Sequence, residues 1–191
     1  MTKSGIEPQR RAALVQATIT EIGQAGSLDV TVSQIAQRAG MSSALAHHYF
    51  GGKAQIFLAA MRQILSDYSA EVRVALRGAE DPEDRLNAII AANFASSCFD
   101  PAVISAWLNF YVLAQRDADA ARLLRVYRLR LQSNLTHALR VHVRNPEPLA
   151  EALGAMIDGI YLRAALQGVG FEKDAEARVM DCADALIRGQ K

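Results

Sequence analysis

Apolar residues recur every three to four positions along most of the chain, and nowhere is the two-residue alternation of a half-buried strand sustained. That spacing predicts an all-α protein. A first helix is expected over 9–25, with Val15, Ile19 and Ile22 on one face and Gly26 as its stop. Thr31 reads as the N-cap of a short second helix over 32–39, because its hydroxyl can accept a free backbone N–H. Gly40 ends that helix, and Ser42 or Ser43 caps a third that runs to Tyr49. Gly51 and Gly52 break it, and Lys53 opens a long fourth helix to about position 77, lined by Ile56, Phe57, Ala60, Met61, Ile64, Leu65 and Tyr68. Further helices are expected over 82–97, 101–115, 118–143, 147–167 and 174–188. The prolines at 8, 82, 101, 146 and 148 each fall near an expected start.

The second and third helices have the lengths and the glycine turn of a helix-turn-helix. Gly40 would supply the left-handed backbone that swings one helix across the other, with Ile35 and Ala36 packing the pair and Ala39 allowing close approach. The outer face of 42–49 would then be free to enter a DNA major groove. On spacing alone, an ordinary helical hairpin accounts for the pattern equally well. The division expected is a DNA-binding part at 1–53 and a larger helical part at 54–191.

Composition narrows the classes. Of 191 residues, 51% are apolar and 21% charged, which excludes a disordered chain. The net charge of +1 hides a weak asymmetry. Residues 1–53 hold five basic side chains (Lys3, Arg10, Arg11, Arg38, Lys53) against three acidic ones, and the remainder holds 16 against 17. A slightly basic head permits phosphate contact without requiring it. Cys98 and Cys182 form no ligand pair and read as two small buried thiols of a reduced chain. No signal-like segment opens the sequence and no apolar run approaches the roughly 18 residues of a spanning helix, so a soluble cytoplasmic protein is expected. His47 and His48 are adjacent, and His137 and His142 are five apart, so neither pair makes a zinc site. Arg122, Arg125 and Arg128 read as a solvated face. With no nucleophile–base pattern, phosphate-cradling loop or paired carboxylates, no enzyme, catalytic residue, metal or cofactor is expected.

The segment Thr31-Val32-Ser33-Gln34-Ile35-Ala36-Gln37-Arg38-Ala39-Gly40-Met41-Ser42, followed by His48-Tyr49-Phe50 and Lys53, closely resembles the signature of the TetR family of repressors. The resemblance covers about 50 N-terminal residues. It implies that the third helix is the recognition helix, with Ser42, Ser43, His47 and His48 on the DNA side. It also implies that Lys53 meets a phosphate and that Thr31 and Tyr49 touch the DNA backbone. Ala46 stands where the family usually has a larger apolar residue, and His47 where it often has tyrosine, so the operator cannot be carried over. Ala106-Trp107-Leu108, Ser133-Asn134-Leu135 and 157–166 resemble one branch of that family, the choline-responsive repressors of glycine betaine synthesis. This implies a homodimer on pseudo-palindromic operator DNA with a small effector, choline. A TetR-type repressor for another ligand, or a helical adaptor that binds protein, are the rival readings.

A quaternary ammonium has no N–H to donate and is held by aromatic faces and a carboxylate. Trp107 and Tyr111 share a helix face with Phe110 on its flank, and Gly154, Asp158, Tyr161 and Ala165 fall on one side of the eighth helix. If those helices face each other, Trp107, Phe110, Tyr111, Asp158 and Tyr161 would enclose a cation, with Phe94 as an outer wall. Plain core packing is the alternative for each aromatic. Asp158 needs a partner in an apolar helix, whether the cation, Arg163 or another arginine. Leu149, Leu153, Met156 and Ile160 form a second apolar side of the eighth helix, and Val179, Cys182 and Leu186 a stripe on the ninth, with Met180 and Ile187 elsewhere. These suit a two-fold interface through helices eight and nine, or equally a central helix of a monomer.

Overall fold

The computed structural model describes residues 3–82, 84–167 and 172–190. Among them are nine α-helices, one 3₁₀ turn and no strand, as the hydrophobic spacing predicts. In chain order they are α1 (Lys3–Ala25), α2 (Val32–Arg38), α3 (Ser43–Phe50), α4 (Lys53–Gly78), α5 (Asp84–Asn93), the 3₁₀ turn (Ser96–Phe99), α6 (Pro101–Leu113), α7 (Ala118–Leu139), α8 (Pro146–Gln167) and α9 (Glu172–Arg188). No single described helix is long and apolar enough to cross a membrane.

The helices fall into two compact units. The first comprises Met1–Ser66 and Asp100–Leu123. Its core is built on Leu14, Ile19 and Ile22 of α1, Ile35 of α2, Ile56 and Phe57 of α4, and Phe110 of α6. α1 starts at Lys3 rather than Gln9, and Pro8 lies inside it. At that position a proline removes one ladder bond and its ring crowds the carbonyl four residues earlier, a local cost that this end of the helix carries. α6 packs along α1. Ser105 donates to the Ile22 carbonyl at 3.3 Å and Asn109 to the Gly26 carbonyl at 3.3 Å, groups at the C-terminal end of α1 that lack helical partners. At Gly23 the helices approach so closely that a Cβ would overlap Ala102.

The second unit comprises Asp67–Phe99 and Leu124–Lys191, in which α5, α8 and α9 pack on one another. The single helix expected over 82–97 is instead α5 followed by the 3₁₀ turn, and Glu83 lies outside the described residues. Phe94 and Phe99 are both buried and stack with centroids 6.4 Å apart. In one straight helix, residues five apart point about 140° away from each other, so burying both together requires the break.

Burial corrects both stripes expected of α8 and α9. Leu149 and Leu153 are buried within the chain itself, and Met156 and Ile160 are half-buried. The outward line of α8 is Ala152, Ala155, Gly159, Leu162 and Leu166, the last 70% exposed. On α9 the inward stripe is Ala175, Val179, Ala183 and Ile187, while Leu186 and Cys182 are exposed. Cys182 is thus no buried thiol, and Cys98 is half-buried.

Candidate nucleic-acid interface and effector site

α2 is defined at both ends by side-chain and backbone hydrogen bonds. Thr31 accepts the Gln34 N–H at 3.2 Å, and the Gln34 side chain accepts the Thr31 N–H at 2.8 Å, a reciprocal capping box. At the other end the Gly40 N–H donates to Gln37 O at 3.0 Å and the Met41 N–H to Ala36 O at 2.8 Å. This is a Schellman closure, and it places Gly40 at φ +67, the left-handed conformation the sequence required there. Ser42 then caps α3 by accepting the Leu45 N–H at 3.2 Å. Ile35 and Ala36 of α2 and Ala46 of α3 are buried, so Ala46 belongs to the packing face.

The opposite side of α3 presents Ser42, Ala44, His47 and His48 to solvent, with Ser43 and Tyr49 half-buried. His47 Nδ1 lies 3.4 Å from the Gly51 carbonyl. Lys53, first residue of α4, is exposed, with Nζ 5.4 Å from the Phe57 ring centroid. Thr31 is exposed, but its hydroxyl also donates to Gln34 Oε1 at 2.8 Å and so serves the cap on both counts. Arg38 is tied to Glu21 and Gln24 of α1, which removes its charge from the reading face. Two cations of α1 that the sequence left unassigned gather at the end of α3. Arg11 donates to the Tyr49 carbonyl and lies 4.6 Å from the Phe50 ring centroid, and Arg10 Nη1 is 3.5 Å from Tyr49 Oη. No periodicity links α1 to α3, so only the fold brings these residues together.

The second unit gathers a polar and aromatic cluster around Asp158. Its carboxylate accepts the Tyr127 hydroxyl at 2.9 Å and feels the Arg128 charge, whereas Arg163 is exposed. Tyr127 meets Tyr68 edge-on at 5.5 Å, and Tyr68 donates to Asn93 Oδ1 at 2.9 Å. Asn93 is itself buried and donates to the Ile89 carbonyl at 2.7 Å. Tyr161, three residues beyond Asp158, donates to the Cys98 carbonyl at 2.9 Å and meets Phe99 edge-on at 5.1 Å, and Phe99 stacks on Phe94. Of the expected cage residues, Asp158 is held in one chain of contacts with Tyr127, Tyr68 and Asn93, and Tyr161 and Phe94 in another through Phe99, both within the second unit. Trp107, Phe110 and Tyr111 form their own aromatic group in the first unit, Trp107 lying 5.7 Å from Phe110 and 5.5 Å from Tyr111.

Burial dominates the electrostatics of that cluster. It raises the Asp158 pKa above the ordinary carboxylate range, and the Tyr127 hydrogen bond and the Arg128 charge only partly pull it back. Burial also lifts the Tyr68 phenol and pushes the Cys98 thiol up to about 11, so both are neutral at physiological pH. Asp158, when ionised, can carry negative charge to a ligand, and the Glu71 charge also reaches this site at Cys98.

A helix-turn-helix with an exposed recognition face, carried on a helical body, defines a DNA-binding regulator. The tetR family model of bacterial regulatory proteins matches residues 14–60, and the model for the C-terminal part of BetI-type transcriptional repressors matches residues 82–188. The chain belongs to the TetR family and is a BetI-type transcriptional repressor, not an enzyme. It is 52% identical over 168 residues to the HTH-type transcriptional regulator BetI of Brucella abortus (strain 2308), covering 87% of this chain and 85% of that one. Among solved structures it resembles in fold a transcriptional regulator from Pseudomonas aeruginosa PAO1, with TM-score 0.84, 24% identity and coverage of 95% and 92%. It also resembles a regulator from Saccharomonospora viridis solved in complex with choline, with TM-score 0.76, 19% identity and coverage of 91% and 95%.

Proposed function

We propose that this repressor senses choline and controls genes for converting choline to glycine betaine. The observation that carries the effector assignment is Asp158, a half-buried carboxylate that among the described residues makes no ion pair and is hydrogen-bonded to Tyr127, whose ring meets Tyr68 edge-on. A small cation without N–H groups suits such a cluster, since rings and a carboxylate attract it with no need for a donated proton. The name of the Brucella relative and the choline bound to the Saccharomonospora regulator favour the same ligand. The effector proposal rests on the second unit's cluster; Trp107, Phe110 and Tyr111 are not needed for it.

Operator DNA is bound by α3 through Ser42, Ser43, His47 and His48, with Thr31, Tyr49 and Lys53 on the backbone. Two copies of α3, one per subunit, would occupy successive major grooves about 34–36 Å apart, or a multiple of that, on a pseudo-palindrome. The homodimer forms through α8 and α9. The outward small residues Ala152, Ala155 and Gly159 permit close helix approach, and exposed Leu162, Leu166 and Leu186 supply apolar area on either side. Calorimetry with choline and with its neutral isostere, carbon replacing nitrogen, tests the effector. Choline should bind at least tenfold more tightly, since one desolvated cation–π contact is worth about 2 kcal/mol. Equal affinity for the two would overturn the assignment.

A further inference from the structure

We propose that Arg10 is an additional phosphate contact of the DNA-binding face and that it shares one phosphate with Tyr49. The inference rests on the placement of α3 as recognition helix. Arg10 is exposed and, among the described residues, makes no ion pair, whereas neighbouring Arg11 pairs with Glu7 at 3.8 Å. Its Nη1 stands 3.5 Å from Tyr49 Oη, at the outer limit of a hydrogen bond. In that arrangement the phenol oxygen accepts from the guanidinium, which leaves the phenol O–H free to donate elsewhere. One phosphate can then take the O–H and a second guanidinium N–H together, and a charged donor makes the stronger bond.

Arg11 ties α1 to the same end of α3. Its guanidinium donates to the Tyr49 carbonyl, one of the C-terminal groups of α3 without a helical partner, and lies over the Phe50 ring. A cation at that end also complements the helix dipole. Arg11 is therefore a positioning residue that fixes the end of α3 against α1, and Arg10, one residue earlier, is held beside Tyr49.

Fluorescence anisotropy of a mixed-sequence duplex, titrated at several salt concentrations, reads the contact. Arg10→Ala should lower the magnitude of the log–log salt slope by about 0.9, the loss expected for one phosphate, with the melting temperature unchanged. Arg10→Lys should keep the wild-type slope. The affinity losses of Arg10→Ala and Tyr49→Phe should be less than additive in the double variant, since both act at one phosphate. A wild-type slope in Arg10→Ala alongside a reduced slope in Lys53→Ala would overturn the Arg10 contact alone. Unchanged slopes in both variants would overturn the placement of the DNA face with it. Arg10→Lys binding as weakly as Arg10→Ala would also rule out the phosphate contact.

Discussion

Asp158 owes its character to the residues around it. Burial raises its pKa, while Tyr127 and Arg128 favour its ionised form. If choline binds the ionised carboxylate, the sign follows. Affinity is level above the raised pKa and falls as pH drops through it, approaching tenfold per unit, because protonation competes with the cation. Calorimetry across pH should show that fall at higher pH than an ordinary carboxylate would give. Asp158→Asn should bind choline at least tenfold more weakly and lose the pH dependence while staying folded. A pH-dependent, full-strength Asp158→Asn would mean that another group titrates. The sequence marked Asp158 as an acid in need of a partner, either the cation or an arginine; the structure supplies the Tyr127 hydroxyl and the Arg128 charge. Tyr127 escaped notice because it lies 31 positions away on another helix, within an arginine-rich stretch that reads as solvated. Hydrophobic spacing locates a face; it does not say which face of another helix it meets.

Among the elements, those fixed by local chemistry were legible and those fixed by tertiary burial were not. The capping residue Thr31, the turn at Gly40 and the break at Gly51 depend on neighbours within a few positions, and α2 and α3 lie within a residue or so of their expected bounds. The break after α5 depends on burying Phe94 with Phe99, and the inward stripe of α9 on which residues α5 and α8 cover. Two substitutions test these elements. Gly40→Ala forces a left-handed conformation on a residue with a Cβ and should cost about 1–2 kcal/mol in chemical denaturation. Gly23→Val should cost more than Gly78→Val, because Gly78 has open space around its Cβ position whereas Gly23 abuts Ala102. Equal losses would mean that the α1–α6 seam yields without cost.

At the scale of the whole molecule, effector and operator are linked by free energy. A bound effector can change operator affinity only as far as it prefers one conformation, and operator must change effector affinity by the same factor, typically 5–150-fold. Assembly is tested separately. Ala155→Asp and Leu166→Asp place charges on the outward line of α8 and should shift sedimentation from dimer to monomer at micromolar concentration. An unaltered dimer in both variants would remove that line from the interface. The sequence reached the class and the DNA-binding element through one local motif. It expected a dimer through α8 and α9 but on α8 chose Leu149 and Leu153, which the chain's own core takes up, because two apolar sides of a helix look alike until one is covered.

The central claim, that choline bound at Asp158 governs repression, is tested most directly by operator affinity with and without saturating choline, in wild type and in Asp158→Asn. The operator duplex would first be located by footprinting upstream of the gene. Choline should weaken wild-type operator binding at least fivefold and leave Asp158→Asn, which binds operator normally without ligand, unaffected. Wild-type affinity that stays the same at saturating choline, or an equal response in Asp158→Asn, would contradict the account.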